Sequence, residues 1–285
     1  MGWRGLVAAC AVGASLAAGH AAAQEVVHFR SLDAAQTLLD GYLYRTRDGG
    51  RHPAVVGLHG CSGMFFNSHV SPLEFAWAYF LTLRGYDVLL VDSLGPRHHG
   101  ETCSIGGFDL AIYRDRPKDS YGALAWLQAQ DFVRPDRVAA LGWSQGGGVV
   151  LLTIGNHSLG RPAGWASPDF RAAVAFYPAS CNSQREPADY TTQVPLLVLQ
   201  GEADVWTPAA PCKGFVDGLA ARGAPAQIVL YPGAYHAFDA PNLTKRELPA
   251  YVTRAGVVPI VAADPAARAD AQQRIAAFFA RYLGD

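Results

Sequence analysis

The sequence predicts an α/β protein of a single domain, with a mostly parallel central sheet and helices on both faces. Three observations predict it. Short apolar runs rich in Val, Leu and Ala recur along the chain, segments of helical spacing lie between them, and irregular stretches tend to follow the runs. The chain has 285 residues, is 50% hydrophobic and carries a net charge of -1. That is ample for one sizeable core. It leaves no basic footprint for nucleic acid or for an anionic membrane surface.

The elements follow in order. Residues 1–23 read as a secretory signal peptide: Arg4, an apolar Ala-rich run to about Ala18, then Ala21-Ala22-Ala23 as an A-x-A cleavage site. The run is short of the roughly 18–20 apolar residues that a membrane span needs, and no later stretch could span a bilayer. The protein is therefore expected to be exported, periplasmic or secreted, with its domain at residues 24–285. Val26 to Leu32 and Leu38 to Thr46 suggest an antiparallel edge pair. Buried strands are expected at Ala54 to Leu58, Tyr86 to Val91, Val138 to Gly142, Ala172 to Phe176, Leu196 to Leu199 and Ile228 to Tyr231. Helices are expected at Pro72 to Arg84, Pro117 to Gln130, Gln145 to about Gly155, Pro208 to Arg222 and Pro265 to Leu283. Gly95 to Arg116, His157 to Asp169, Pro178 to Val194 and Ala237 to Ala263 read as irregular. In such sheets the site lies at the carboxyl ends of the strands.

The central motif is Gly142-Trp143-Ser144-Gln145-Gly146, a G-x-S-x-G run between a strand and a helix. Its glycines permit a tight turn that lifts the serine hydroxyl clear of the sheet. A serine needs a base and an orienting acid to become a nucleophile. Asp204 and His236 each follow a later strand, in the order Ser, Asp, His, and form the candidate catalytic triad with Ser144. Glu202 is the rival acid. Taken singly, Asp204 could be a helix cap and His236 a loop histidine. An oxyanion hole would use the N–H groups of Gln145 and of Cys61 in Leu58-His59-Gly60-Cys61-Ser62-Gly63, with Ser62 as the second choice. Adjacent His98 and His99 do not make a metal site without further ligands, and no metal is expected.

At these residues the chain resembles the dienelactone hydrolase family of α/β hydrolases, over nearly all of the chain after residue 23. The resemblance rests on L-H-G-C-S-G, Y-D-V-L-L-V-D-S-L-G-P-R, G-W-S-Q-G-G-G, G-E-A-D-V-W-T-P and Y-H-A-F-D. It implies the α/β-hydrolase fold and hydrolysis of small-molecule esters or lactones without metal or cofactor. The founding type has a cysteine nucleophile where this chain has Ser144, and the glutamate expected just after the strand ending at Leu58 is missing. The turn also resembles that of secreted cutinase-like polyester hydrolases. A different class of reading is an exported binding protein on a catalytically dead hydrolase fold, although no triad residue is missing.

Three expectations concern the surroundings of the site. Cys10 leaves with the leader, and Cys61, Cys103, Cys181 and Cys212 remain. Their number permits three pairings. Their positions after neighbouring strands favour Cys61–Cys103 and Cys181–Cys212, against four unpaired buried thiols. Arg97 is expected at the mouth of the pocket, either binding a substrate carboxylate or pinning its loop to Asp92 or Glu101. Trp143, beside the nucleophile, is a candidate substrate contact. The segments after Phe176 and after His236 are too short, polar or proline-broken for a helical lid, which favours small or short-acyl substrates.

Overall fold

The computed structural model describes residues 24–105, 110–182 and 186–284. The leader expected over residues 1–23 lies outside them. Strands β1 (Gln24–Arg30), β2 (Leu38–Tyr44), β3 (His52–Leu58), β4 (Asp87–Asp92), β5 (Val133–Trp143), β6 (Ala172–Phe176), β7 (Leu196–Gly201) and β8 (Ala226–Tyr231) form one sheet. Their order across it is β1-β2-β4-β3-β5-β6-β7-β8. β2 runs antiparallel to both β1 and β4, and all other neighbours are parallel.

Alternation along the strands sorts side chains into two cores. Ala54, Val56 and Leu58 of β3 face one side, with helices α2 (Leu110–Gln128), α3 (Gln145–Ile154) and α4 (Ala209–Ala221). Val55 faces the other, with α1 (Pro72–Thr82) and α5 (Pro265–Leu283). Both faces being covered explains why the strands read as continuous apolar runs.

The register aligns the carboxyl ends. Leu58 pairs with Gly142, Trp143 with Phe176, Phe176 with Leu199, and Gly201 with Tyr231. The residues that follow these strands therefore share one edge, and the site is built there.

One helix departs from expectation. α2 begins at Leu110 and carries Pro117 inside it, rather than starting at the proline. A proline within a helix forfeits one backbone hydrogen bond. The turns before it are held by burial of Tyr113 and Arg116, at 4% and 1% exposure. The segment from Ala237 to Ala263 is also more ordered than expected. It contains a two-stranded ribbon, Arg246–Glu247 with Ile260–Val261, and a 3-10 turn at Pro249–Tyr251.

Candidate active site

Ser144 sits between the end of β5 and the start of α3 with φ 53° and ψ -113°. A non-glycine residue rarely adopts positive φ, and holding it there costs on the order of 1–3 kcal/mol. Three backbone bonds hold it: Ser144 N–H donates to Phe176 O at 3.0 Å, and Ser144 O accepts from Gly148 and Ala179 N–H at 3.0 and 2.9 Å. The flanking glycines are required by contact. A Cβ on Gly146 would collide with the carbonyl oxygens of Leu58 and His59, and one on Gly142 with the Gly146 carbonyl.

His236 and Asp204 meet at the same edge. His236 Nδ1 lies 2.7 Å from Asp204 Oδ2, with both residues 3% exposed. The carboxylate also accepts the Trp206 N–H at 2.8 Å, the Thr207 N–H at 2.9 Å and the Thr207 hydroxyl at 2.7 Å. Burial pushes the Asp204 carboxyl up, but the imidazole and these donors outweigh it and hold it below its usual value. Glu202 is exposed; Asp204 is the acid that reaches the imidazole. The His236 ring packs between Tyr177 and Trp206, at centroid distances of 4.4 and 4.9 Å.

The turn after β3 is tied down at successive peptide groups. His59 Nε2 accepts the Ser93 N–H at 3.3 Å, so its proton sits on Nδ1 and is donated to Gly60 O at 2.6 Å. Burial and the nearby Arg116 keep this imidazole well below its ordinary pKa. Arg116 donates to His59 O at 2.7 Å and to Gln145 Oε1 at 2.8 Å, linking the two segments that carry the candidate oxyanion donors. Burial lowers the Arg116 guanidinium only to about 10, so it stays charged. Cys61 O accepts the Thr102 N–H at 2.7 Å. Gln145 opens α3, so its own N–H has no carbonyl one turn earlier to bond.

Among the described residues, two disulfides are present, Cys61–Cys103 and Cys181–Cys212. Ser144 lies where two lobes of one cleft meet, of about 370 Å3 and about 590 Å3, and Cys61 borders both. Among the described residues, no group of three or more His, Cys, Asp or Glu side chains is placed to hold a metal ion.

Arg97 and Trp143, the candidate substrate contacts, both have donors engaged by carboxylates. Arg97 lines neither lobe. Its guanidinium grips Asp119 at 2.7 and 2.9 Å and Asp33 at 2.7 Å, and donates to Ser93 O at 2.7 Å. It pins the loop, but to Asp119 and Asp33 rather than to Asp92 or Glu101. Trp143 borders the wider lobe but is 1% exposed. Its ring stacks on Phe176 and its N–H goes to Asp239 at 3.0 Å, so it is core.

Asp239 and Glu74 were not singled out from the sequence. Asp239, fully buried, also accepts from Trp77 Nε1 and the Tyr177 hydroxyl, each at 2.7 Å, and so fixes the ring beneath His236. Glu74, 3% exposed, borders the wider lobe. Burial pushes its carboxyl up to about 7, against the pull of the Ser71 hydroxyl and the Gly60 N–H. The one sequence signal was Asp239's place in Y-H-A-F-D; Glu74 had none.

The strand order and the turn at Ser144 make the chain an α/β hydrolase in fold. Its family follows from comparison: the model described as "Dienelactone hydrolase family" matches residues 39–283, and the chain belongs to that family of carboxylic ester hydrolases. A Bradyrhizobium protein named "Probable 2-oxo-3-(5-oxofuran-2-ylidene)propanoate lactonase" is 27% identical over 203 residues, 69% of this chain and 77% of the relative. Esterase 2 of Thermogutta terrifontis, solved phosphonylated by cyclosarin, shares the fold at TM-score 0.65 and 19% identity, over 93% of this chain and 96% of its own. A dienelactone hydrolase-like promiscuous phosphotriesterase from metagenomic libraries does so at TM-score 0.63 and 21% identity, over 91% and 99%. No helix among the described residues is long and apolar enough to cross a membrane.

Proposed function

We propose that this chain is an exported serine hydrolase that cleaves carboxylic esters or lactones through Ser144, His236 and Asp204. The observation that carries the reading is the buried 2.7 Å contact between Asp204 and His236 in the cleft where Ser144 stands at positive φ. Ser144 Oγ attacks the ester carbonyl carbon while His236 Nε2 takes its proton. Asp204 holds the ring with Nδ1 protonated and stabilises the imidazolium. The N–H groups of Cys61 and Gln145 receive the oxyanion, each worth about 3 kcal/mol of barrier. The imidazolium protonates the leaving alcohol, and water then hydrolyses the acyl-enzyme by the same steps. Export is supported by the leader-like residues 1–23 and by two disulfides, which persist in oxidising compartments. The lactonase name of the Bradyrhizobium relative keeps lactones in the substrate class.

A fluorophosphonate probe separates a working hydrolase from a binding protein on the same fold. The adduct is expected on Ser144 alone. Ser144→Ala and His236→Ala should lower turnover by about 10⁶, and Asp204→Asn by about 10⁴, with folding retained. Labelling mapped to another serine, or Glu202→Gln proving worse than Asp204→Asn, would overturn the assignment.

A further inference from the structure

Three successive carbonyls of the turn at His59-Gly60-Cys61 are held by donors. Arg116 holds His59 O at 2.7 Å, His59 Nδ1 holds Gly60 O at 2.6 Å, and the Thr102 N–H holds Cys61 O at 2.7 Å. The Cys61 N–H lies within this run of peptide groups, so they set its direction. The second candidate donor is joined to the first. Arg116, which can only donate, gives a further bond to Gln145 Oε1 at 2.8 Å. That turns Gln145 Nε2 to the Thr102 hydroxyl at 3.1 Å, and the hydroxyl reaches Cys61 O at 3.2 Å. A ring of hydrogen bonds therefore runs from α2 through the first residue of α3 and the loop after β4, back to the turn after β3. Both oxyanion donors belong to residues on that ring. It is dry: His59, Thr102, Arg116 and Gln145 are each at most 7% exposed.

A cation is a costly donor for this place. Taking a guanidinium out of water costs several kcal/mol, and a neutral amide could hold the same kind of oxygen. Both acceptors of Arg116 are neutral. The acids whose charges reach it are engaged elsewhere. Asp119 is gripped by Arg97 at 2.7 and 2.9 Å, and Asp92 Oδ1 accepts the Leu94 and Gly95 N–H groups at 3.1 and 2.9 Å. His59 beside it is kept neutral by burial and by the Arg116 charge itself. A negative charge arrives next to this ring only during the reaction. As Ser144 Oγ bonds the carbonyl carbon, its proton passes to His236 Nε2 and the carbonyl π pair moves onto oxygen, facing the N–H groups of Cys61 and Gln145.

Resting on the triad reading above, we propose that Arg116 is a positioning residue of the oxyanion hole: through the ring it fixes both donors, and its buried charge is balanced when the oxyanion forms. Thr102 acts with it, as the link between the Gln145 side chain and the turn. The interaction is stronger in the transition state than in the ground state, so it raises kcat rather than lowering KM. A water-excluded interior screens it little.

The test measures kcat and KM for 4-nitrophenyl butyrate on the purified protein, together with the affinity for ethyl trifluoromethyl ketone, whose adduct with a serine carries the negative charge on oxygen. Arg116→Gln keeps a donor and removes the charge, whereas Arg116→Lys keeps the charge and loses the planar fork. Arg116→Gln should lower kcat about tenfold or more with KM within about twofold, and weaken the ketone by the same factor. Arg116→Lys should lose less than Arg116→Gln. Thr102→Val should lower kcat and ketone affinity together, and Thr102→Ser, which retains the hydroxyl, should recover most of both. The Thr102 pair reads the ring even where an Arg116 variant fails to fold. An unchanged kcat, a change in KM alone, or a fall in kcat without weaker ketone binding in the folded variants overturns the positioning role while the triad stands. Absence of both turnover and fluorophosphonate labelling in the parent protein overturns the triad reading itself.

Discussion

Glu74 shows how far burial can move a side chain's chemistry. Its carboxyl, ordinarily near 4.5, is pushed up to about 7 by burial, with the charge of Asp239 adding to the push. The folded state thus binds this proton more tightly than the unfolded state does. The stability from this group is fully present below about 4.5 and is lost as pH rises through about 7. Glu74→Gln keeps the shape without the charge. The variant should be more stable than the parent above pH 7 by up to roughly 3 kcal/mol, with the gap closing toward pH 5. Urea unfolding at pH 5 and pH 8 measures this; an equal gap at both would show that the buried charge is not the cause. Asp204 has the opposite sign. Its carboxyl is held below the usual value, so its contribution is present above the ordinary carboxylate range and fades only as pH falls through the lowered value.

At the scale of elements, the turn into α3 depends on two backbones passing without a side chain between them. Gly146 packs against the Leu58 and His59 carbonyls at the end of β3, where a Cβ has no room. Gly146→Ala must separate α3 from β3 or shift the turn that carries Cys61. It should destabilise the protein by more than about 2 kcal/mol, as other overpacked or strained sites do. Gly214 is the contrast. It lies within α4, is exposed, and has open space where a Cβ would go. Gly214→Ala should stabilise by about 0.5–1 kcal/mol through helix propensity. Thermal unfolding of the two variants side by side checks both, and similar melting temperatures would refute the steric account. The same kind of contact explains why the start of α2 was not legible. Local rules favour a helix start at Pro117, but burial of Tyr113 and Arg116 carries the helix back to Leu110.

Across the whole molecule, the disulfides tie the site to distant segments. Cys61–Cys103 spans a sequence separation of 42 and Cys181–Cys212 one of 31, each worth roughly 3–4 kcal/mol in the chain-entropy model. The two should differ in what else they do. Cys61 follows the His59-Gly60 turn and its carbonyl is bonded by Thr102, next to Cys103. The double substitution Cys181→Ser, Cys212→Ser should lower the melting temperature. Cys61→Ser, Cys103→Ser should lower it and also reduce kcat about tenfold or more where both proteins are folded, toward the cost of losing one oxyanion donor. Equal effects on kcat from the two pairs would show that the first does not steady the turn.

What the sequence determined by itself was local in origin. Apolar runs of strand length, helical spacing between them and the glycines around Ser144 specify strand, turn and helix from a few neighbouring residues. Parallel pairing then brings the positions after those strands to one edge, which is why Asp204 and His236 could be named with Ser144. The tertiary structure decided the pairings that no motif at a strand end marks. Arg97 was legible as a loop residue, yet its fate was set by Asp33 and Asp119, 64 and 22 residues away. Asp239 gained its place from indole donors 162 and 96 residues away. Trp206 stacks on Tyr251 at the cleft only because separate loops converge there. Hydrogen bonds and burial act through space, and a sequence pattern reports a distant pair such as Asp204 and His236 only where successive parallel strands carry both partners to one edge.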